Sequence, residues 1–309
     1  MLRPYPKPAS DADVLAYFET LTNWGRWGPD DERGALNLIT PAKTAQAAAL
    51  VREGATVSAA RPLDTAAAPD NTWPLVHLMT GAGTDPGAGG SGDYLALRFH
   101  GYAHTHIDAL CHMFWDGRLY NGRDQRAVTS QGASAGSIAA AERGIVTRGV
   151  VIDAPRLRGR PWLEPGEALY PEDLEAAEMA EGVRVEEGDA LLVYTGRWRR
   201  RAASGPWDVN AEGLAGLHAA CLPWLRERGV AVLGCDGVSD VMPSGFPSIG
   251  LPIHRVGIVG MGLHLLDNCD LEALAEACAS RSRWEFLLVV APLRVPGGTG
   301  SPVNPIAVF

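Results

Sequence analysis

The sequence predicts an α/β fold, a single domain over 1–309 built on a mixed sheet flanked by helices. Three observations carry this. Helix-like and strand-like segments alternate along the chain without an internal repeat. The strongest strand segments are unbroken apolar runs, the pattern of strands covered on both faces. No stretch is long enough to serve as a linker, and 309 residues suit one large domain with an ample core.

The elements follow in order. "ASDADVLAYFETLT" (9–22) predicts a short helix capped by Ser10. "NWGRWGPDDERGALNLITP" reads as an ordered loop, and "TPAKTAQAAALVREG" as a helix entered through Thr40 and Pro41 and stopped at Gly54. "ATVSAARPLD" predicts a strand. "GAGTDPGAGGSG" (81–92) has the composition of a flexible loop, and "DYLALRFHGYAHTHID" alternates like one strand. "GIVTRGVVIDAP" is strand-like, "YPEDLEAAEMAEG" a helix with acidic residues in its first turn, and "DALLVYTGRW" a buried strand. A single helix is expected over 210–229, ended by Gly229 and feeding the strand "VAVLGCDG". "DLEALAEACASRS" is the last helix and "WEFLLVVAPLRV" the last core strand.

The net charge of −9, without an extended Lys/Arg run, argues against a nucleic-acid or anionic-membrane partner. The one basic cluster, "GRWRRR" (196–201), reads as a solvated turn. Five widely spaced cysteines without a CxxC give no disulfide framework. The first residues lack the apolar core of a signal peptide, and no run approaches the roughly 20 apolar residues of a membrane span. The expectation is a cytoplasmic protein with reduced thiols and a small-molecule substrate.

Four of the eight histidines fall within thirteen residues, in "HGYAHTHIDALCHMFWDG" (100–117). Side chains alternate between the faces of a strand. His100, Tyr102, His104, His106 and Asp108 share one parity, so an unbroken strand presents His104, His106 and Asp108 side by side. Two imidazoles and a carboxylate suit Zn²⁺, Mn²⁺ or Fe²⁺, and three protein ligands leave positions open for water, as in catalytic sites. His100 and His104 compete for one ligand position, and a bulge favours either. His112 lies just beyond; it completes the shell, binds a second ion or shuttles protons. Zn or Mn is the expected cofactor.

"THIDALCH" resembles the H-x-G-T-H-x-D-x-P-x-H signature of the cyclase family of metal-dependent hydrolases, which takes in kynurenine formamidases and isatin hydrolases. The resemblance implies a swivelling β/β/α-type fold, His106 and Asp108 as metal ligands, and His112 as a second-metal ligand or catalytic histidine. The family's first histidine is Tyr102 here and its proline is Leu110, so His100 or His104 stands in for the missing ligand, or the metal has one fewer protein ligand. "LLVYTGRW", "VAVLGCDGVSDVMPS", "GLPIHRVGIVGMGLHLLDNCDLEAL" and "VAPLRVPGGTGSPVNPIAVF" resemble later family segments in the same order. "NWGRWGPDDERGALN" resembles the N-terminal extension (1–60) of the longer subgroup.

The resemblance makes His254, after "GLP", the histidine across the site, as ligand or general base. Asp267 falls near the family's acidic ligand, with His264 as its rival and a helix cap as its alternative role. Asp236 and Ser239 sit at a strand end, where α/β sheets expose functional residues. Trp24, Trp27, Phe114, Trp115 and Trp198 are candidates for an aromatic pocket wall; His77 and His218 read as structural. The expected activity is hydrolysis of a small amide, cyclic amide or lactone, with His112 and His254 as catalytic residues and the carbon–nitrogen bond as first choice. A cyclase or dehydratase on the same scaffold, a non-catalytic metal-binding protein and a non-haem iron enzyme are the rivals. The resemblance and the Trp-rich N-terminal loop imply a homo-oligomer, a dimer or a multiple of it.

Overall fold

The computed structural model describes residues 5–309. The apolar runs form strands of one curled, nine-stranded mixed sheet. In chain order these are β1 (Thr56–Ser58), β2 (His106–Asp108), β3 (Ile145–Asp153), β4 (Ala190–Tyr194), β5 (Val232–Cys235), β6 (His264–Asp267), β7 (Glu285–Val290), β8 (Gly300–Pro302) and β9 (Ile306–Val308). Across the sheet the order is β1-β9-β7-β3-β4-β5-β6-β2-β8. The central pairs β3–β4, β4–β5 and β5–β6 are parallel, and the outer pairs are antiparallel.

Every residue of β4 is buried, as its unbroken apolar run requires. Its side chains divide between two cores. Leu191 and Val193 join one, with Val150, Ile152 and Leu233; Ala190 and Leu192 join the other, with Val151 and Val232. The first core is closed by the helices Pro171–Glu181 and Cys221–Arg228, and by the helical stretch that runs from Pro252 to Met261. The second is closed by the helix Glu272–Arg281.

The local signals behave as their chemistry demands. Ser10 caps Asp11–Leu15 in a capping box with Asp13. Thr40 caps the helix Pro41–Ala48, which stops six residues short of Gly54. Gly229 closes its helix in the left-handed conformation.

Five expectations change. The alternating segment 93–108 is not one strand. Gly92–Ala96 pairs back on Val76–Gly81 as a separate hairpin, and regular pairing resumes only at His106. The loop 81–92 is the connection of that hairpin. Residues 210–229 do not form one helix; Gly213 ends a short turn of helix and Gly216–Leu217 pairs with Ala168–Leu169 before Cys221 begins the next. "GRWRRR" is not a solvated turn. It enters the helix Arg197–Ser204, with Arg197 and Trp198 buried. Finally, β8 and β9 follow the strand expected to be last.

Candidate metal centre

Strands β2 and β6 lie antiparallel, with Asp267 directly opposite His106. Alternation sends Ile107 into the second core, so His106 and Asp108 face the first, together with Asp267. After β2 the His112 amide donates to the Ala109 carbonyl at 3.0 Å, a turn that returns the His112 ring to Asp108. His254 enters from the helical segment laid over the same face.

Asp108 is the hub and is fully buried. His100 Nδ1 lies 3.0 Å from Oδ1 and His106 Nε2 3.4 Å from it. His254 Nε2 and His112 Nε2 lie 3.6 and 3.8 Å from Oδ2. Among the described residues, neither Asp108 oxygen nor Asp267 Oδ1 has a partner of full hydrogen-bond geometry. Burying a carboxylate without partners is costly. Two donor groups share Asp108: His106, Asp108 and Asp267, and His100, Asp108 and His112. In each group the ligand atoms lie within 4.8 Å of one another. Two imidazoles with a carboxylate, or one with two, is a donor set for a borderline divalent ion. The orphaned oxygens therefore fit a cation.

The sequence-derived candidates sort cleanly. His100, His106, Asp108, His112, His254 and Asp267 converge. His104 joins neither donor group. It precedes β2, so the alternation that aligned it with His106 does not apply. His100 reaches the site instead, its ring stacked on His112 at 3.9 Å and its Nε2 3.0 Å from Thr299 Oγ1. Gly300, opposite Asp108, makes room for this, because a Cβ there would lie 3.0 Å from His100 Cε1 and 2.5 Å from the Ile107 carbonyl. His264 is buried on the opposite parity of β6 from Asp267, and both its ring nitrogens lack partners.

Asp240 was not legible in the sequence. It accepts from His254 Nδ1 at 2.7 Å and from the Ile253 and His254 amides. His254 Nε2 points to Asp267 Oδ2 at 3.1 Å. Asp236 and Ser239 are set differently from this pair. Asp236 takes the Thr195 amide and hydroxyl and the Arg197 amide, while Ser239 holds a left-handed backbone, φ 60°. Of the aromatic candidates, Trp198 is buried and donates to the Cys269 carbonyl, Trp115 stacks on Phe18, and Trp24 donates to the Val259 carbonyl. Phe99, which the sequence did not single out, packs on His100 and His106.

The electrostatics follow the geometry. Burial pushes the Asp108 carboxyl up, but His112, His100 and His106 outweigh it and hold it well below the usual carboxylate range. Burial pushes His254 down, and Asp267 and Asp240 together raise it well above an ordinary imidazole. Burial, reinforced by the neighbouring imidazoles and opposed by Asp108, takes His112 down to about 4; burial, with Glu32 and Asp108, takes the Cys111 thiol up to about 12, which leaves that thiol inert.

A cleft of about 1060 Å³ adjoins the His100 side; Phe99, Thr299 and Gly300 line it with Leu75, Leu97 and Leu293.

The sequence model of the Cyclase family matches residues 35–240, about two thirds of the chain. The chain belongs to the Cyclase family. A crystal structure of a novel cyclase is 32% identical, with a TM-score of 0.84 over 94% of this chain and 99% of that one. Isatin hydrolase A from Ralstonia solanacearum is 22% identical (TM-score 0.61, 87% of this chain, 97% of that one), and so shares the fold. A predicted metal-dependent hydrolase from Bacillus stearothermophilus, 14% identical, is more distant (TM-score 0.52, 82% and 97%). No curated protein matches the chain in sequence. Among the described residues no helix is long and apolar enough to cross a membrane.

Proposed function

We propose that this cyclase-family chain is a divalent-metal-dependent hydrolase of a small amide, cyclic amide or lactone, with the carbon–nitrogen bond as its preferred target. One observation carries the reading: a fully buried carboxylate, Asp108, ringed by imidazole nitrogens yet, among the described residues, without a partner of full hydrogen-bond geometry on either oxygen. His106, Asp108 and Asp267 would hold the first ion; His100 and His112 would hold a second through the shared Asp108. Zinc and manganese suit both donor sets.

A divalent ion bound there supplies Lewis acidity and acidifies water toward neutral pH. The protein's own part is proton handling. Asp240 holds His254 Nδ1 and leaves Nε2 facing Asp108 and Asp267. A cation held by Asp108 and Asp267 would draw on the negative charge that otherwise keeps a proton on His254. His254 then takes the proton of the attacking water and returns it to the leaving nitrogen. The apolar cleft beside Phe99 supports a small cyclic or aromatic substrate, since such surfaces bind flat apolar groups through burial and a few polar contacts.

We also read the chain as a homo-oligomer. Exposed Val76, Leu78, Met79, Tyr94 and Leu95 on the hairpin support this, because apolar clusters of this kind mark contact surfaces. Light scattering checks it: a stable monomer at micromolar concentration counts against it.

The deciding experiment is metal analysis of protein purified without added metal, then chelation, reconstitution and assay on a panel of amides, cyclic amides and lactones. Activity lost with the metal and regained with zinc or manganese supports the reading. Turnover that survives complete chelation overturns it.

A further inference from the structure

We propose that Asn268 and Arg197 are positioning residues that set the tautomer of His106. This rests on the reading of His106 as a metal ligand. The segment 97–105, which carries His100 and delivers His106 to β2, contains no strand residues. Its backbone is held instead from the far end of β6. Asn268, next after Asp267, adopts a left-handed conformation with φ 54°, and that turns its amide back toward this segment. Its Nδ2 donates to the Gly101 carbonyl at 2.8 Å and to the His104 carbonyl at 3.3 Å. The same His104 carbonyl accepts the Nδ1 proton of His106 at 2.8 Å. A carbonyl only accepts, so neutral His106 carries its proton on Nδ1 and leaves Nε2 unprotonated on the side of Asp108.

Arg197 fixes which way the Asn268 amide faces. Arginine only donates, and its Nη1 donates to Asn268 Oδ1 at 2.6 Å, leaving Nδ2 for the two carbonyls. Its Nη2 donates to the Tyr102 carbonyl. Asp236 anchors Arg197 in turn, by accepting from its backbone amide at 2.9 Å. Thr105 closes the loop by donating its hydroxyl to the Asn268 carbonyl at 2.7 Å. Partners that orient a ligating histidine through its second nitrogen usually change metal affinity 10–100-fold when removed, roughly.

Two variants test this. Asn268→Gly accepts the left-handed backbone but removes the amide. Asn268→Asp keeps the shape but sets a carboxylate oxygen against the Gly101 and His104 carbonyls. Zinc affinity is read by competition with a chromogenic chelator. The His106 tautomer is read by ¹⁵N NMR of histidine-labelled, metal-free protein at about pH 9. The expected result is an affinity about 10–100-fold lower in both variants, with His106 shifting from the Nδ1–H form to a mixture. A lower melting temperature with affinity within about twofold of wild type and the Nδ1–H form retained would mean a merely structural role and overturns the proposal. Should these variants not fold, Arg197→Lys, which cannot donate to Asn268 Oδ1 and the Tyr102 carbonyl together in the same fork, is read in the same way: a His106 tautomer that shifts to a mixture upholds the proposal, and an unchanged tautomer with unchanged zinc affinity overturns it. In wild type, an Nε2–H tautomer at His106 overturns it outright. Wild type that takes up no zinc removes the metal-centre reading alone, because the tautomer is read without metal.

Discussion

Asp108 and Asp189 are both fully buried, yet their surroundings differ in kind. Asp189 is saturated. Arg148 grips it with two bonds, Nε to Oδ1 at 2.9 Å and Nη2 to Oδ2 at 2.6 Å, while Lys43 lies 2.6 Å away and the Glu186 amide donates to it. Those contacts tie the helix Pro41–Ala48 to β3 and to the loop before β4. Asp108 receives no comparable donor; imidazole nitrogens surround it without alignment. A fold that needs a buried carboxylate for structure supplies the cations and N–H groups to satisfy it. One that leaves the carboxylate unsatisfied keeps it for something the chain itself does not provide.

The sharpest break comes from Asp108→Asn. A neutral amide is a poor ligand. Metal content and turnover should fall together to background, while circular dichroism stays native. Zinc, which should raise the wild-type melting temperature by binding only the folded state, should no longer do so. Full metal occupancy in this variant sinks the site as drawn.

His254→Ala probes the proton path while leaving in place His106, Asp108 and Asp267, the ligands proposed for the first ion. Metal content should be retained, and kcat should drop by roughly 10²–10⁴-fold, the usual worth of a positioned acid–base group. A loss of one ion per chain instead makes His254 a ligand. Unchanged stoichiometry with near wild-type turnover removes it from the mechanism.

The structural half of the comparison is tested by Asp189→Asn. Asp189→Asn removes the buried charge that Arg148 and Lys43 share, leaving Arg148 with Glu285 and the Arg184 carbonyl and Lys43 with the more distant Glu186, and the variant should lose up to roughly 3–5 kcal/mol in urea unfolding. Metal content per folded chain should not change. A milder loss, within the range of an exposed ion pair, would show that the cluster is not stabilising as its geometry implies.

A pH-dependent effect belongs to a third carboxylate, intermediate between the two. Glu181 accepts the Asp153 amide through Oε1, while Oε2 has no partner. Burial pushes its carboxyl up to about 8. The folded state thus holds this proton more tightly than the unfolded chain, whose glutamate titrates near ~4.3. The stability this confers is complete below that value and is lost as pH rises through about 8. Glu181→Gln should gain on wild type progressively between these two values in urea melts. A difference that does not vary with pH would mean that Glu181 titrates normally.

Much of this was legible because it is local. Helix caps at Ser10 and Thr40, the glycine stop at Gly229 and the two-faced burial of β4 depend on a few neighbouring residues, and sequence spacing reports them. The same holds for the density of donors between His100 and His112, which marks a candidate metal site from sequence spacing alone. Parity extended that reading too far. It assumed a continuous strand, and the chain pairs regularly for only three residues, so His100 rather than His104 meets Asp108.

The α/β alternation, the burial of the central strands and the residue types of the site are set by the sequence alone; that those central strands run parallel is not. Tertiary structure alone decided which donors meet. Asp267 faces His106 because antiparallel register sets them opposite, and register is a property of two strands more than 150 residues apart. Asp240 orients His254, and Arg197 is buried rather than solvated, because loops from separate strand ends converge on one face of the sheet. A basic run such as "GRWRRR" looks the same in sequence whether or not distant carbonyls and carboxylates wait for it, since spacing along the chain carries no information about partners that only folding brings near.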